Sequence, residues 1–278
     1  MKKLSILAVV LLLHFANSLP AVPTVTPVTP HVTVRPPESS LTLPKELCVF
    51  DAKTFTGTRC TLPYRILSPV EMKPGTLYPL VIFLHGAGQR GEGNIRQLSN
   101  GGALFADPMN RAAFPTFAVF PQCPEDKRWV EVNWGAPTSH QQPAEPSDPM
   151  SNVLELIPTL MKSLPIDPKR VYVIGLSMGG FGTWDLIARK PEWFAAAVPI
   201  CGGADDSTAP RIASIPTWVF HGDKDTTVKP GRSRSMVEAL RQVGGKVKYS
   251  ELPGVNHSSW LQALSNPDLL PWLFAQKR

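Results

Sequence analysis

The stretch VYVIGLSMGGFGTW, residues 171–184, decides the fold class. An apolar, β-branched run leads into Gly175-Leu176-Ser177-Met178-Gly179, and a helical pattern follows it. Gly-x-Ser-x-Gly is a weak signal alone, but between a strand and a helix it is typical of a sharp turn that exposes a serine hydroxyl. The free N–H groups of the following helix favour negative charge there. We therefore interpret Ser177 as a nucleophile rather than as a serine in a glycine-rich packing turn.

Apolar runs alternate with helical patterns on both sides of this stretch. Nearly continuous apolar runs predict parallel strands covered on both faces, and they are YPLVIFLHG (78–86), FAVFPQ (117–122), RVYVIGLS (170–177), AAAVPICG (195–202), PTWVFHG (216–222) and KVKYSELPG (246–254). Upstream, LCVF (47–50) and LPYRILS (62–68) predict an antiparallel pair at one edge. Helical periodicity covers residues 149–165, 178–190, 233–245 and 267–278. This alternation predicts a doubly wound α/β sheet with its ligand site at the carboxyl ends of the strands.

A serine hydroxyl needs a positioned base, and the base needs an orienting acid. On this scaffold the order along the chain is serine, acid, histidine. Only two of the six histidines, His221 and His257, follow Ser177. His221 lies within the end of a predicted strand, whereas His257 lies in the loop after the last strand. We therefore predict that His257 is the base.

Two candidates for the acid, Asp223 and Asp225, lie in HGDKDTTV, residues 221–228. Asp223 follows the strand directly, where a side chain caps the turn. Asp225 lies further out, where its carboxylate can turn back toward the histidine, so we favour Asp225 as the acid. Asp205 and Asp206, which follow the preceding strand, remain alternatives.

A glycine-rich loop, FLHGAGQRGEGN (83–94), follows another buried strand. The backbone N–H of Met178 and one from this loop, that of Ala87, would form an oxyanion hole. One such donor is typically worth about 10²–10³ in rate.

A long stretch without regular patterns, residues 121–149, leaves the carboxyl end of its strand and can overhang the site. Two interpretations of its Trp129 and Trp134 are open. Either they form an apolar or sugar-stacking wall for the substrate, or they anchor the loop to the body of the domain. His140, in the same stretch, is expected at the loop surface.

Four stretches, LHGAGQRG, GLSMGGFGTW, HGDKDTTV and GVNHSSW, together resemble the α/β-hydrolases of the bacterial secreted carboxylesterase group. That group is related to polyester depolymerases, feruloyl and acetyl esterases and phospholipase/carboxylesterases. The resemblance implies an eight-stranded, mostly parallel sheet with helices on both faces. It also implies Ser177 after strand five, the acid after strand seven and His257 after strand eight. The pattern of the group places the acid on Asp225, followed by Val228.

The amino terminus has the features of a secretory signal peptide over residues 1–18: two lysines, an apolar run and small residues before the cleavage point. The apolar run, residues 4–13, is shorter than the roughly 20 residues that span a bilayer. Residues 19–45 are rich in proline and threonine and predict an extended linker, and residues 46–278 form the catalytic domain. We therefore expect a secreted or periplasmic protein without membrane integration after signal cleavage.

The formal net charge of +6 includes the two signal-peptide lysines, and no run of Lys and Arg stands out. This favours solubility over nucleic-acid binding. The histidines lack paired zinc-ligand spacing, and the glycine loops lack the lysine of a phosphate-binding loop. No metal and no cofactor are therefore predicted.

An exported chain permits disulfides. Cys48 and Cys60 flank the first hairpin-like connection, so they are the candidate pair. In the strand order implied by the resemblance, two strands separate Cys123 and Cys201. At about 4.8 Å per strand they are too far apart to bridge, so they are expected to be free and buried.

These features predict an exported serine hydrolase that cleaves a small-molecule or polymer-attached carboxylic ester through Ser177, Asp225 and His257. The alternatives are a prolyl-oligopeptidase-like peptidase, an esterase acting on acylated polysaccharide or polyester, and a catalytically dead hydrolase domain used for binding.

Overall fold

A computed structural model describes residues 41–278. The predicted signal peptide and most of the predicted linker lie outside these residues. Strands are β1 Asp51–Thr56, β2 Thr61–Leu67, β3 Tyr78–Leu84, β4 Phe117–Pro121, β5 Ile166–Leu176, β6 Ala196–Ile200, β7 Thr217–Gly222 and β8 Val247–Leu252. Helices are α1 Gly102–Ala106, α2 Pro108–Ala113, α3 Asp148–Ser163, α4 Met178–Arg189, α5 Ala209–Ile212, α6 Gly231–Gln242, α7 Trp260–Leu264 and α8 Leu269–Ala275. No helix within residues 41–278 combines the length and apolar character needed to cross a membrane.

The eight strands form one sheet in the order β1-β2-β4-β3-β5-β6-β7-β8. The β1–β2 and β2–β4 pairs are antiparallel, and all pairs from β4 to β8 are parallel. This confirms the eight-stranded, mostly parallel α/β-hydrolase sheet. Ser177 follows the central strand β5, Asp225 follows β7 and His257 follows β8, so the carboxyl ends of the strands carry all three to one edge.

Hydrophobic cores cover both faces of the sheet. Alternate residues of β3 show the division, because Leu80 and Ile82 pack into one core while Val81 and Phe83 pack into the other. Helices α3, α4, α5 and α6 cover the first face, and α1, α7 and α8 cover the second. Burial on both faces explains why the parallel strands are nearly continuous apolar runs.

The first predicted strand, LCVF, is wrong. A 3₁₀ turn occupies Lys45–Leu47, and the strand is the polar segment Asp51–Thr56 that follows. Leu47 and Phe50 belong to an irregular segment, and their apolar side chains are buried in the core on the second face of the sheet. β1 is an edge strand with mostly exposed residues, so its sequence carries no apolar signal.

The predicted Cys48–Cys60 disulfide is also wrong, because both cysteines are free thiols. In the β1–β2 hairpin, Thr56 pairs with Thr61 beside the turn that contains Cys60, whereas Cys48 precedes the opposite end of β1. A strand advances about 3.3 Å per residue, so the length of β1 keeps the cysteines beyond the Cα separation of roughly 7 Å that a disulfide spans. Cys123 and Cys201 are buried and free, as expected, with β3 and β5 between their strands.

Thiol titration of the denatured, unreduced protein should therefore give four reactive thiols. A control sample treated with reductant, then freed of it, should give the same count. Two thiols before reduction and four after it would contradict the hairpin register described above.

Candidate active site

Ser177 lies in the turn between β5 and α4 with φ 52° and ψ −118°. A positive φ is strained for a residue with a side chain and persists only where its surroundings hold it. The Ser177 N–H donates to the carbonyl of Ile200 in β6 at 2.8 Å, and its carbonyl accepts from the N–H of Phe181 at 3.1 Å. One bond ties the serine to the sheet and the other to α4, which fixes the turn.

Two glycines allow α4 to begin directly against the sheet. A Cβ atom on Gly179 would overlap the carbonyl oxygen of Leu84 in β3, and one on Gly175 would overlap the carbonyl oxygen of Gly179. Both obstacles are backbone atoms that cannot rotate away. The two glycines of the Gly-x-Ser-x-Gly pattern are therefore required by contact between helix and strands.

Substituting Gly179→Ala should lower the free energy of unfolding by about 1–3 kcal/mol or more, because the added methyl group displaces backbone. Denaturant titration measures this against Gly88→Ala, where no atom lies within 4 Å of the added carbon. Equal stability of the two variants would show that the turn can relax and that close packing does not fix it.

The structure brings Ser177, His257 and Asp225 into one hydrogen-bonded row. Ser177 Oγ lies 2.9 Å from His257 Nε2, and His257 Nδ1 lies 2.7 Å from Asp225 Oδ2. A carboxylate can only accept, so His257 carries its proton on Nδ1 and its Nε2 lone pair faces the serine hydroxyl. The His257 side chain is 21% exposed and that of Asp225 is fully buried. The row therefore runs from the interior to the surface.

Four donors surround the Asp225 carboxylate. Oδ1 accepts the backbone N–H groups of Thr227 and Val228, both at 2.9 Å. Oδ2 accepts from His257 and from His221 Nε2 at 3.1 Å. Burial favours the neutral acid, but the hydrogen bonds from His221, His257 and Val228 outweigh it and hold the pKa of Asp225 below its ordinary value. Asp225 is therefore ionised and fixed in orientation.

Asp223 has a structural role in the adjacent turn. Its Oδ1 accepts the N–H of Gly254 at 2.7 Å, and its own N–H donates to Leu252. This joins the loop after β7 to the loop after β8, which carries His257. Asp223 thus shapes the turn, as its position in the sequence indicates.

The two alternative acids also have other partners. Asp205 caps a short 3₁₀ turn by accepting from Ser207, and it accepts the N–H of Gln142 at 2.7 Å. Asp206 accepts the hydroxyl of Ser235 at 2.7 Å. Neither is bonded to His257, so among the candidate acids the histidine is paired with Asp225.

The two predicted oxyanion donors belong to the turns that follow the neighbouring strands β5 and β3. Met178 is the first residue of α4, where a backbone N–H has no partner within the helix. Ala87 opens a 3₁₀ turn after β3, and the preceding Gly86 lies against Leu176, the last residue of β5. Buried His85 braces this loop, because its Nε2 accepts the N–H of Cys123 at 2.9 Å and its Nδ1 donates to Gly86 at 2.7 Å.

The two tryptophans have different positions. Trp129 is fully buried, and its indole N–H donates to the carbonyl of His85 at 3.0 Å. The prediction that Trp129 forms part of a substrate wall is therefore wrong. Trp129 instead anchors the long loop to the body of the domain. Trp134 is half-buried, with the Arg128 guanidinium 4.4 Å from its ring centre and the Phe181 ring 6.5 Å away. It remains the aromatic candidate for substrate contact.

A buried arginine on α6, which is not among the predicted site residues, holds the same loop. The guanidinium of Arg232 donates to the carbonyls of Asn133 and Ala136, the latter at 2.7 Å, and to His140 Nδ1 at 3.1 Å. It also lies 5.0 Å from the ring centre of Phe181. Its signal in the sequence is its spacing, four residues before the buried Met236 on the inner face of the helix.

His140 is half-buried rather than a surface residue. Its ring stacks on Phe181 at 5.8 Å. Burial and the neighbouring Arg232 charge lower the pKa of His140 to about 4. At neutral pH the imidazole is therefore uncharged and accepts the arginine hydrogen bond.

Substituting Arg232→Met should lower the free energy of unfolding by about 2–4 kcal/mol, since buried carbonyls lose their donor. It should also increase protease cleavage within residues 122–147. Denaturant titration and limited proteolysis measure both effects, with exposed Arg241→Met on the same helix as the control. Unchanged cleavage in the Arg232 variant would contradict the clamping role.

Three side chains within residues 41–278 have the spacing of metal ligands, and they belong to this same site. Donor atoms of Cys201, Asp225 and His257 lie within 4.8 Å of one another. Asp225 and His257 are bonded to each other, and burial raises the pKa of the Cys201 thiol to about 12. The Asp225 and His257 atoms are thus engaged with each other, and the Cys201 thiol is protonated at neutral pH.

Comparison with known proteins adds a family to this geometry. A family model described as Phospholipase/Carboxylesterase matches residues 68–266, more than half of the chain. Among solved structures, a thermostable esterase is 39% identical with a TM-score of 0.77, and the match covers 84% of this chain and 64% of that one. A ferulic acid esterase is 20% identical with a TM-score of 0.60 over 81% and 97% of the two chains, a likeness of fold alone.

Among curated proteins, poly(3-hydroxyalkanoate) depolymerase C of Paucimonas lemoignei is 28% identical over 124 residues. That match covers 34% of this chain and 30% of the depolymerase. The chain thus spans less than a third of this relative and less than two thirds of the thermostable esterase. Its sheet order and the family match agree: the chain belongs to the phospholipase/carboxylesterase family of hydrolases with the α/β-hydrolase fold.

Proposed function

We propose that this protein is an exported serine hydrolase that cleaves carboxylic esters through a covalent acyl-enzyme. The observation that carries the proposal is the bonded row Ser177–His257–Asp225, at 2.9 Å and 2.7 Å, at the carboxyl edge of the sheet. Export is proposed from the signal-peptide features of residues 1–18.

In the proposed reaction, His257 Nε2 takes the proton of the Ser177 hydroxyl as its oxygen attacks the ester carbonyl carbon. The N–H groups of Met178 and Ala87 stabilise the negative charge that develops on the carbonyl oxygen. His257 then gives the proton to the departing alcohol. Water, deprotonated by the same histidine, attacks the acyl carbon, and His257 returns that proton to Ser177 Oγ as the carboxylic acid is released.

Asp225 acts in this scheme by holding His257 in the reactive tautomer. Its ionised carboxylate also stabilises the imidazolium that forms in each half of the reaction. Because four hydrogen bonds fix Asp225 before the substrate arrives, little reorganisation is needed when that charge appears.

Esters are favoured over peptides as substrates because the 39% identical structure is described as an esterase. An acylaminoacyl peptidase from Pyrococcus horikoshii shares the fold with a TM-score of 0.61 but is 14% identical, which carries no argument for peptide cleavage. Esters within a polymer are the second candidate, from the match to the poly(3-hydroxyalkanoate) depolymerase. A panel of short aryl esters, feruloyl and acetyl sugars, polyesters and peptide amides would distinguish these substrates.

Purified protein should hydrolyse a short-chain aryl ester, and Ser177→Ala should lower kcat by about 10⁶-fold. Asp225→Asn should lower kcat by about 10⁴-fold, because the amide favours the wrong histidine tautomer. Asp223→Asn, two residues away, is the matched control and should have a far smaller effect. Steady-state kinetics with circular dichroism of each variant measures this, and full activity of Ser177→Ala would falsify the mechanism.

A further inference from the structure

A second histidine, His221, lies against the buried side of the row. It is the penultimate residue of β7 and is fully buried. Its Nε2 lies 3.1 Å from Asp225 Oδ2 and 2.9 Å from the carbonyl oxygen of Val228. Its Nδ1 lies 2.7 Å from the hydroxyl of Ser233 on α6. The imidazole thus contacts the loop after β7 at two points and α6 at a third.

The partners of His221 determine where its proton lies. A backbone carbonyl can only accept a hydrogen bond, so Nε2 carries the proton and shares it between Val228 and the Asp225 carboxylate. In the neutral ring Nδ1 is then an acceptor, and the Ser233 hydroxyl donates to it. The other oxygen near Ser233, the carbonyl of Gly202, lies at 3.5 Å and competes weakly.

We propose that His221 is a positioning residue for the ester hydrolysis proposed above: its Nε2–H holds Asp225 Oδ2 toward His257, and Ser233 keeps His221 in the tautomer that can do so. The reaction row then has five members, running from Ser233 through His221, Asp225 and His257 to Ser177. His221 acts through Asp225 and does not touch the reacting atoms.

The geometry shows why the backbone bonds to Asp225 do not make His221 redundant. The N–H groups of Thr227 and Val228 both bind Oδ1, whereas Oδ2, the oxygen that faces His257, has His221 as its second donor. His221 also binds the Val228 carbonyl. It therefore fixes both the carboxylate and the loop that carries it, and its loss leaves Oδ2 free to shift away from His257.

The test compares His221→Phe, which removes the donor, with His221→Gln, which returns an amide N–H to a similar reach. His221→Phe should lower kcat roughly 10- to 100-fold. Metal sites lose activity in this range when the residue that orients a metal-bound histidine is replaced. KM should change little, because His221 contacts no substrate. His221→Gln should recover much of the lost kcat, and Ser233→Ala should cause a smaller loss.

Thr217→Val serves as the control, since Thr217 is buried at the opposite end of the same strand and its hydroxyl donates to Ile215. It should lower stability without lowering kcat. Proton NMR gives a readout that needs no substrate: the low-field signal of the His257 Nδ1–H bonded to Asp225 should shift or broaden in His221→Phe and return in His221→Gln. Thr217→Val should leave that signal in place.

A folded His221→Phe variant with wild-type kcat and an unmoved signal would overturn the positioning role. If His221→Phe fails to fold, an unmoved signal together with a wild-type kcat in Ser233→Ala would overturn it as well. A wild-type protein that hydrolyses no ester would overturn the proposed function instead, and the NMR comparison would still decide the role of His221.

Discussion

The strained turn at Ser177 holds a side-chain-bearing residue at positive φ, where β5 passes into α4. A free chain would relax that conformation, so the surrounding packing must hold it. The sheet does so because glycine at 175 and 179 lets α4 begin in contact with the backbone of β3 and β5. The start of α4, the position of the predicted oxyanion donor Met178 and the placement of the Ser177 hydroxyl beside His257 all depend on that contact.

The remainder of the site consists of loops held by buried polar groups. His85, Trp129 and Arg232 each bind backbone carbonyl or N–H groups of segments distant in sequence. A loop lacks the regular backbone hydrogen bonds of a helix or sheet. Side chains such as these therefore pair with the buried N–H and C=O groups of the loop. The long segment after β4 is therefore anchored to the body of the domain at both Trp129 and the residues near Ala136.

The sequence predicted those parts of the structure whose signal is local. The parallel strands and the glycine–serine turn follow from periodicity and motif, and the sheet order agrees with the predicted strands. The sequence does not reveal β1, because an exposed edge strand has no apolar run.

The sequence does not distinguish the role of Trp129 from that of Trp134. Trp129 is buried through a hydrogen bond to the carbonyl of His85, which is distant in the chain. Arg232 was overlooked since a charged residue is seldom fully buried unless paired, and its partners are loop carbonyls about 100 residues earlier in the chain.

The position of β8 at the end of the sheet has a consequence for the stability of the contact between His257 and Ser177. β8 lies at the end of the sheet beside β7, and its residues are only partly buried, whereas β5 is central and its last six residues are buried. Ser177 is therefore attached to the centre of the sheet and His257 to one of its edges. Local opening of an edge costs less free energy than global unfolding. If Ser177 and His257 act as proposed, fraying of this outer strand would separate them and stop catalysis while the central strands stayed paired, and reclosing the strand would restore it.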